Sequence, residues 1–83
     1  MPSKQVSVRE MNAVLHRLGF EEKARRGSHL LLQHREKNML LTLPTGERYV
    51  RLVILRSIEN SLENYHIVDK RGFRKMLGIE DYT

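Results

Sequence analysis

Two apolar runs split by a polar turn constrain this chain more than any other feature. Leu30, Leu31 and Leu32 lead through Gln33 and His34 into Arg35-Glu36-Lys37-Asn38, and Met39, Leu40, Leu41, Thr42 and Leu43 follow before Pro44. Short apolar stretches bounded by turn-forming residues read as the two strands of a hairpin. Both runs are apolar at consecutive rather than alternate positions, which predicts that both faces of the sheet are covered. Helices would cover one face, and a partner chain is the candidate for the other. Pro44, Thr45 and Gly46 end the second strand, because proline has no N–H for a ladder and glycine permits the turn.

Upstream, residues 1–6 carry no pattern and are expected to form a loose tail. Ser7 and Glu10 make the Ser-x-x-Glu capping box, in which each side chain satisfies an orphan backbone N–H at a helix start. Val8, Met11, Val14, Leu15 and Leu18 then recur at helical spacing, with Arg9, Asn12, His16 and Arg17 mostly off that stripe. Gly19 supplies a left-handed C-cap and Phe20 folds back on the last turn, so a first helix is predicted over 8–18. Residues 20–25 give a weaker strand signal, since Glu21, Glu22 and Lys23 are poor strand formers. Gly27 nevertheless marks a tight turn that pairs this stretch with the Leu30 run.

Downstream, Val50, Ile54, Leu55, Ile58 and Leu62 keep helical spacing through a segment too long for an ordinary strand. The spacing predicts a second helix from about 47 to 63. Asp69 is a good N-cap, Val68 before it is placed to staple onto Phe73, and Met76 and Leu77 continue the stripe to Gly78. A short third helix is therefore expected within a C-terminal extension over 69–78. The fold class is α+β: an α-β-β-β-α order with a three-stranded antiparallel meander and helices on one face, plus the short C-terminal helix. This is the arrangement of double-stranded-RNA-binding domains.

Eighty-three residues supply apolar side chains for one core, so 1–83 is read as a single domain. Cysteine is absent, which removes disulfides and thiolate metal sites and is compatible with a reducing cytoplasm. No run approaches the ~20 apolar residues of a spanning helix and no secretory pattern opens the chain, so a soluble cytoplasmic protein without membrane contact is expected. His16, His29, His34 and His66 lack zinc-ligand spacing, and Gly27 and Gly46 are isolated turn glycines rather than a phosphate loop. Neither a metal nor a cofactor is expected. Fifteen Lys and Arg against ten Asp and Glu give a formal charge of +5, a field that attracts polyanions and puts nucleic acid first among partners.

The basic residues gather on one turn: Lys23, Arg25 and Arg26 are followed at once by Gly27, Ser28 and His29. Four fragments stand here in the order and approximate spacing seen in HicA-like toxins. They are Leu18-Gly19-Phe20, Arg26-Gly27-Ser28-His29, Leu43-Pro44 and Leu55-Arg56-Ser57-Ile58, and the stretch from 7 to 77 resembles that family. The resemblance implies the toxin of a type II toxin–antitoxin pair, an endoribonuclease that cleaves mRNA and is restrained by a HicB-type antitoxin protein. By position, the histidine it requires is His29. A neutral imidazole can take the proton of a ribose 2′-hydroxyl while guanidinium groups stabilise charge on the phosphate. Lys23, Arg25 and Arg26 are read as RNA phosphate contacts; Ser28 is either such a contact or a turn residue bonded to the backbone.

One histidine leaves the departing 5′-oxygen without a proton donor, and His34, Lys23 and Tyr49 are the candidates. His16, His34 and His66 are otherwise read as ordinary surface residues. Residues 65–83 extend beyond the usual end of the relatives, and three roles stay open for them: antitoxin binding, formation of a homodimer, or closure of the core. The competing reading is a non-catalytic RNA-binding module whose first helix, basic hairpin and second-helix start touch successive grooves of duplex RNA. A purely protein-binding domain is the third.

Overall fold

The computed structural model describes residues 5–79. Its elements run α1 (Val8–Arg17), β1 (Phe20–Arg26), β2 (His29–His34), β3 (Leu40–Pro44), α2 (Leu52–Asn64) and α3 (Lys70–Leu77). The α+β class, the three-stranded antiparallel sheet in the order β1-β2-β3 and the third helix agree with the sequence expectation. Among the described residues no helix is long and apolar enough to cross a membrane.

Local chemistry sets the ends of these elements. Ser7 Oγ accepts the Glu10 N–H at 3.0 Å while Glu10 Oε1 accepts the Ser7 N–H at 3.0 Å, the reciprocal cap expected for α1. Such a cap is worth about 1 kcal/mol. Asp69 Oδ1 accepts the Gly72 N–H at 2.7 Å to start α3. Between β1 and β2 only Gly27 and Ser28 intervene, and Arg26 faces His29 across the turn. Gly27 has φ +54, the positive value that a type II′ hairpin turn needs at its first central residue. At Lys23 the register steps from Glu22 opposite Leu32 to Ala24 opposite Leu31, so Lys23 is the extra residue of a bulge.

The two apolar runs alternate in burial although they do not alternate in letters. Leu30, Leu32 and His34 of β2 and Leu41 and Leu43 of β3 point inward, whereas His29, Leu31, Gln33, Leu40 and Thr42 occupy the other face. The inward side chains meet Phe20, Met11 and Leu15 from the first part of the chain, Leu55, Ile58 and Leu62 of α2, and Phe73 and Leu77 of α3. The helices therefore share one face. The second cover expected from the sequence is not supplied by the described residues: Leu40 is 51% exposed and Thr42 lies open.

Three further expectations differ from the structure. The second helix begins at Leu52 rather than near 47. Residues 48–50 instead run beside 6–8, with Val8 N–H donating to Arg48 O at 2.9 Å, Val50 N–H to Val6 O at 2.8 Å, and Ser7 bridged to Tyr49. Val50 reaches the core from this extended segment, which is why its spacing imitated a helix. The same pairing removes Val6 from the loose tail; it is 2% exposed, and residues 1–4 of that tail lie outside the described residues.

Of the three roles left open for the C-terminal extension, core closure is visible here: Phe73, Leu77 and Ile79 are buried, and Glu59 of α2 holds Arg74 of α3 through contacts of 2.7 and 3.2 Å. The third difference is His34, which is not a surface residue. It is buried, and its ring meets Phe20 edge-on with centroids 5.0 Å apart.

Candidate functional site

The tight turn after β1 decides which of the predicted residues can act together. Because Arg26 and His29 are direct cross-strand partners, their side chains leave the same face of the sheet with Cβ atoms about 5 Å apart. That face is the uncovered one. With Ala24, Leu31 and Thr42 they line a shallow depression of about 320 Å³. Both side chains are exposed, and among the described residues neither makes a hydrogen bond or an ion pair. The result is an imidazole and a guanidinium side by side on an apolar floor, both available to a ligand.

The remaining predicted residues are not part of that pair. Arg25 is opposite Leu30, one position along, and so projects to the other side; it lies 3.8 Å from Glu22 in an exposed ion pair. Lys23 sits in the bulge, exposed on the edge strand. Ser28 belongs to the turn by its backbone: its carbonyl accepts the Thr45 N–H at 2.6 Å, whereas its hydroxyl makes no hydrogen bond among the described residues. The Ser28–Thr45 bond holds the hairpin tip against the turn that follows β3.

His34 is removed from the candidate proton donors. Its Nδ1 accepts the Glu36 N–H at 3.1 Å and the Lys37 N–H at 3.0 Å, so Nε2 carries the proton and donates to the Leu18 carbonyl at 2.8 Å. Both nitrogens are committed, and on the opposite face from His29. The imidazole here pins the α1–β1 junction to the β2–β3 turn. A Cβ on Gly19 would stand 2.8 Å from His34 Nε2, so the glycine of Leu18-Gly19-Phe20 is required by this approach as well as by its φ of +105.

A second recess, which the sequence did not reveal, lies between the hairpin tip and the chain entering α2. An open recess of about 280 Å³ is bordered by Pro44, Tyr49 and Ile54, with Ser28, Glu47 and Arg51 among its polar lining. Pro44 is also the strand partner of His29, so the recess adjoins the Arg26–His29 pair. Arg51 forks onto Glu47 with Nε to Oε1 at 2.8 Å and the second guanidinium nitrogen to Oε2 at 2.9 Å. These hydrogen bonds, and next the Arg51 charge, hold the Glu47 carboxyl below the usual carboxylate range, and Glu47 in turn raises Arg51. The Arg48 guanidinium lies 5.8 Å from the centre of the Tyr49 ring. Glu47 and Arg51 are visible in the sequence as an opposite-charge pair four residues apart, a spacing that by itself does not mark a recess.

Among the described residues no group of three or more His, Asp or Glu gathers in a way that could hold a metal ion. Comparison with family models, with curated proteins and with solved structures finds no match. What fold and site define is thus an α+β chain that presents an unengaged imidazole–guanidinium pair on an open sheet face, beside a recess bordered by an aromatic ring.

Proposed function

We propose that this chain is a metal-independent endoribonuclease of the HicA-like kind, the cytoplasmic toxin of a type II toxin–antitoxin pair, with His29 as its general base on mRNA. The observation that carries the reading is the Arg26–His29 pair, exposed and without partners among the described residues in a chain of net charge +5. Both side chains are free to meet a ligand, and binding and catalytic residues concentrate where a rigid scaffold positions a turn.

The chemistry runs as an internal transfer. The neutral His29 imidazole takes the proton of a ribose 2′-hydroxyl, the 2′-oxygen attacks the adjacent phosphorus, and the bond to the 5′-oxygen breaks. Arg26 stabilises the charge that develops on the phosphate oxygens. The imidazolium returns its proton through water to the departing 5′-oxygen, leaving a 2′,3′-cyclic phosphate and a 5′-hydroxyl. Lys23 and Arg25, elsewhere on the hairpin, serve as phosphate contacts for the flanking strand. The uncovered face with Leu31 and Leu40 is the seat of a HicB-type antitoxin, which would cover His29 together with the apolar surface.

One observation favours the alternative of a non-catalytic RNA-binding module: with His34 committed to Leu18, the depression around His29 contains no second acid–base side chain. The two readings separate on product chemistry. A long single-stranded RNA incubated with the pure chain in chelator should yield fragments with cyclic phosphate ends, and a 2′-deoxy substitution at a cut position should block that cut. RNA that is shifted on a gel but stays intact identifies the binding module.

A further inference from the structure

The recess beside His29 has walls and a rim that the proposed reaction leaves unused. Tyr49 and Ile54 give it apolar sides, and its 280 Å³ is at the small end of ligand pockets, room for a single flat group. The Glu47–Arg51 fork is bidentate and therefore planar, and a guanidinium plane is a surface on which heterocycles stack. Arg48, which does not line the recess, lies over the Tyr49 ring and adds positive charge outside it. The Ser28 and Tyr49 hydroxyls have no hydrogen-bond partner among the described residues, so both can meet the edge of a bound group.

From these features we propose that the recess holds one unpaired nucleobase of single-stranded RNA, stacked on Tyr49 with the Glu47–Arg51 fork at its rim. The inference rests on the RNA reading above and narrows it. Pro44 joins the recess to His29 across one strand pair, so a base seated there belongs to a nucleotide next to the phosphate presented to His29. Apolar walls favour the face of a base, while the cations Arg48 and Arg51 favour the phosphates on either side. A base paired within a helix cannot enter, since it would first have to leave its stack. The recess thus selects single strands over duplexes, which the open sheet face alone would not do.

The test uses isotopically labelled full-length chain carrying His29→Gln, so that cleavage does not enter, and three RNA probes of six nucleotides: a single strand, the same strand with abasic sugars throughout, and a duplex. Amide shifts on adding the single strand are expected at Ser28, Gly46, Tyr49 and Arg51. Affinity should fall about tenfold or more for the abasic strand, and by about fivefold to a hundredfold on adding Tyr49→Ala, the range of one lost base–aromatic stack. Urea unfolding of the Tyr49→Ala variant checks that its fold is kept, and Tyr49→Phe, which retains the ring face, should lose less affinity than Tyr49→Ala. Equal binding of the abasic strand, or equal shifts at the recess from the duplex, overturns the proposal. Cleavage by the wild type without recess shifts overturns the base pocket and leaves the proposed ribonuclease standing; recess shifts without cleavage support the pocket and remove the ribonuclease.

Discussion

The Nε2–H of His34 donates to the carbonyl of Leu18 across 2.8 Å, and that single bond joins the end of α1 to the far end of β2. The other ring nitrogen accepts two N–H groups of the β2–β3 turn, so one buried side chain satisfies three backbone groups. His34→Ala should cost ~3 kcal/mol in urea unfolding, from the orphaned backbone groups and the cavity against Phe20. Nitrogen shifts of the imidazole should show the Nε2–H tautomer for His34. A loss below about 1 kcal/mol, the scale of one ordinary hydrogen bond, would show that solvent takes over these bonds.

The two positive-φ glycines flanking β1 should respond differently to alanine. Gly19→Ala carries the strain of φ +105 and drives its Cβ to 2.8 Å from His34 Nε2, so it should cost more than 2 kcal/mol, roughly the strain plus the displaced bond. Gly27 has nothing within 4 Å of an added Cβ, and Gly27→Ala should cost only the ~1 kcal/mol of its backbone conformation. Comparable losses at the two positions, measured by urea unfolding, would mean that the imidazole yields to the methyl group.

Much of this architecture is legible in the sequence because its signals are local. A capping box needs only Ser7 and Glu10, and a two-residue turn needs only Gly27 at the position where φ is positive. The misjudged elements depend on distant partners. Val50 heads an apolar stripe at helical spacing that continues through α2, but residues 6–8 pair with the backbone of 48–50 and hold it extended. His34 looked like a surface residue because its acceptor, the Leu18 carbonyl, is a backbone atom of another element. In the candidate site the Arg26–His29 pairing followed from the turn, whereas the recess at Tyr49 exists only once the 46–54 segment folds against the hairpin tip.

The Glu59–Arg74 pair should be asymmetric under mutation. Glu59 is buried whereas the Arg74 side chain is a quarter exposed, so removing the arginine takes both of its hydrogen bonds from a carboxylate held away from water. Arg74→Met should cost ~3 kcal/mol and Glu59→Gln ~1 kcal/mol, because glutamine keeps the shape and one acceptor oxygen. Thermal unfolding of the two variants measures the difference; a larger loss for Glu59→Gln would contradict the assignment.

At the rim of the recess, Glu47 titrates below its unfolded-state value of about 4.3 because Arg51 bonds and attracts the carboxylate. A depressed folded value stabilises the native state above the unfolded value, and this contribution is lost as pH falls through the folded value. The pair is exposed, so the effect should shrink in salt. Carboxyl carbon shifts should place the Glu47 midpoint below those of unpaired glutamates, and Arg51→Gln should return it to the ordinary range. An unmoved midpoint in Arg51→Gln would mean that the fork is not populated in solution.

The proposed reaction depends on His29, and comparing wild type with His29→Ala on one long single-stranded RNA in chelator tests that dependence. Urea unfolding of both proteins serves as the check on folding. Because the His29 side chain is exposed and makes no hydrogen bond or ion pair among the described residues, the two proteins should unfold within about 0.5 kcal/mol of each other. Fragments from the wild type alone, with RNA binding kept in both, are the result this account predicts; equal fragmentation by both proteins, or intact RNA with both, would contradict it.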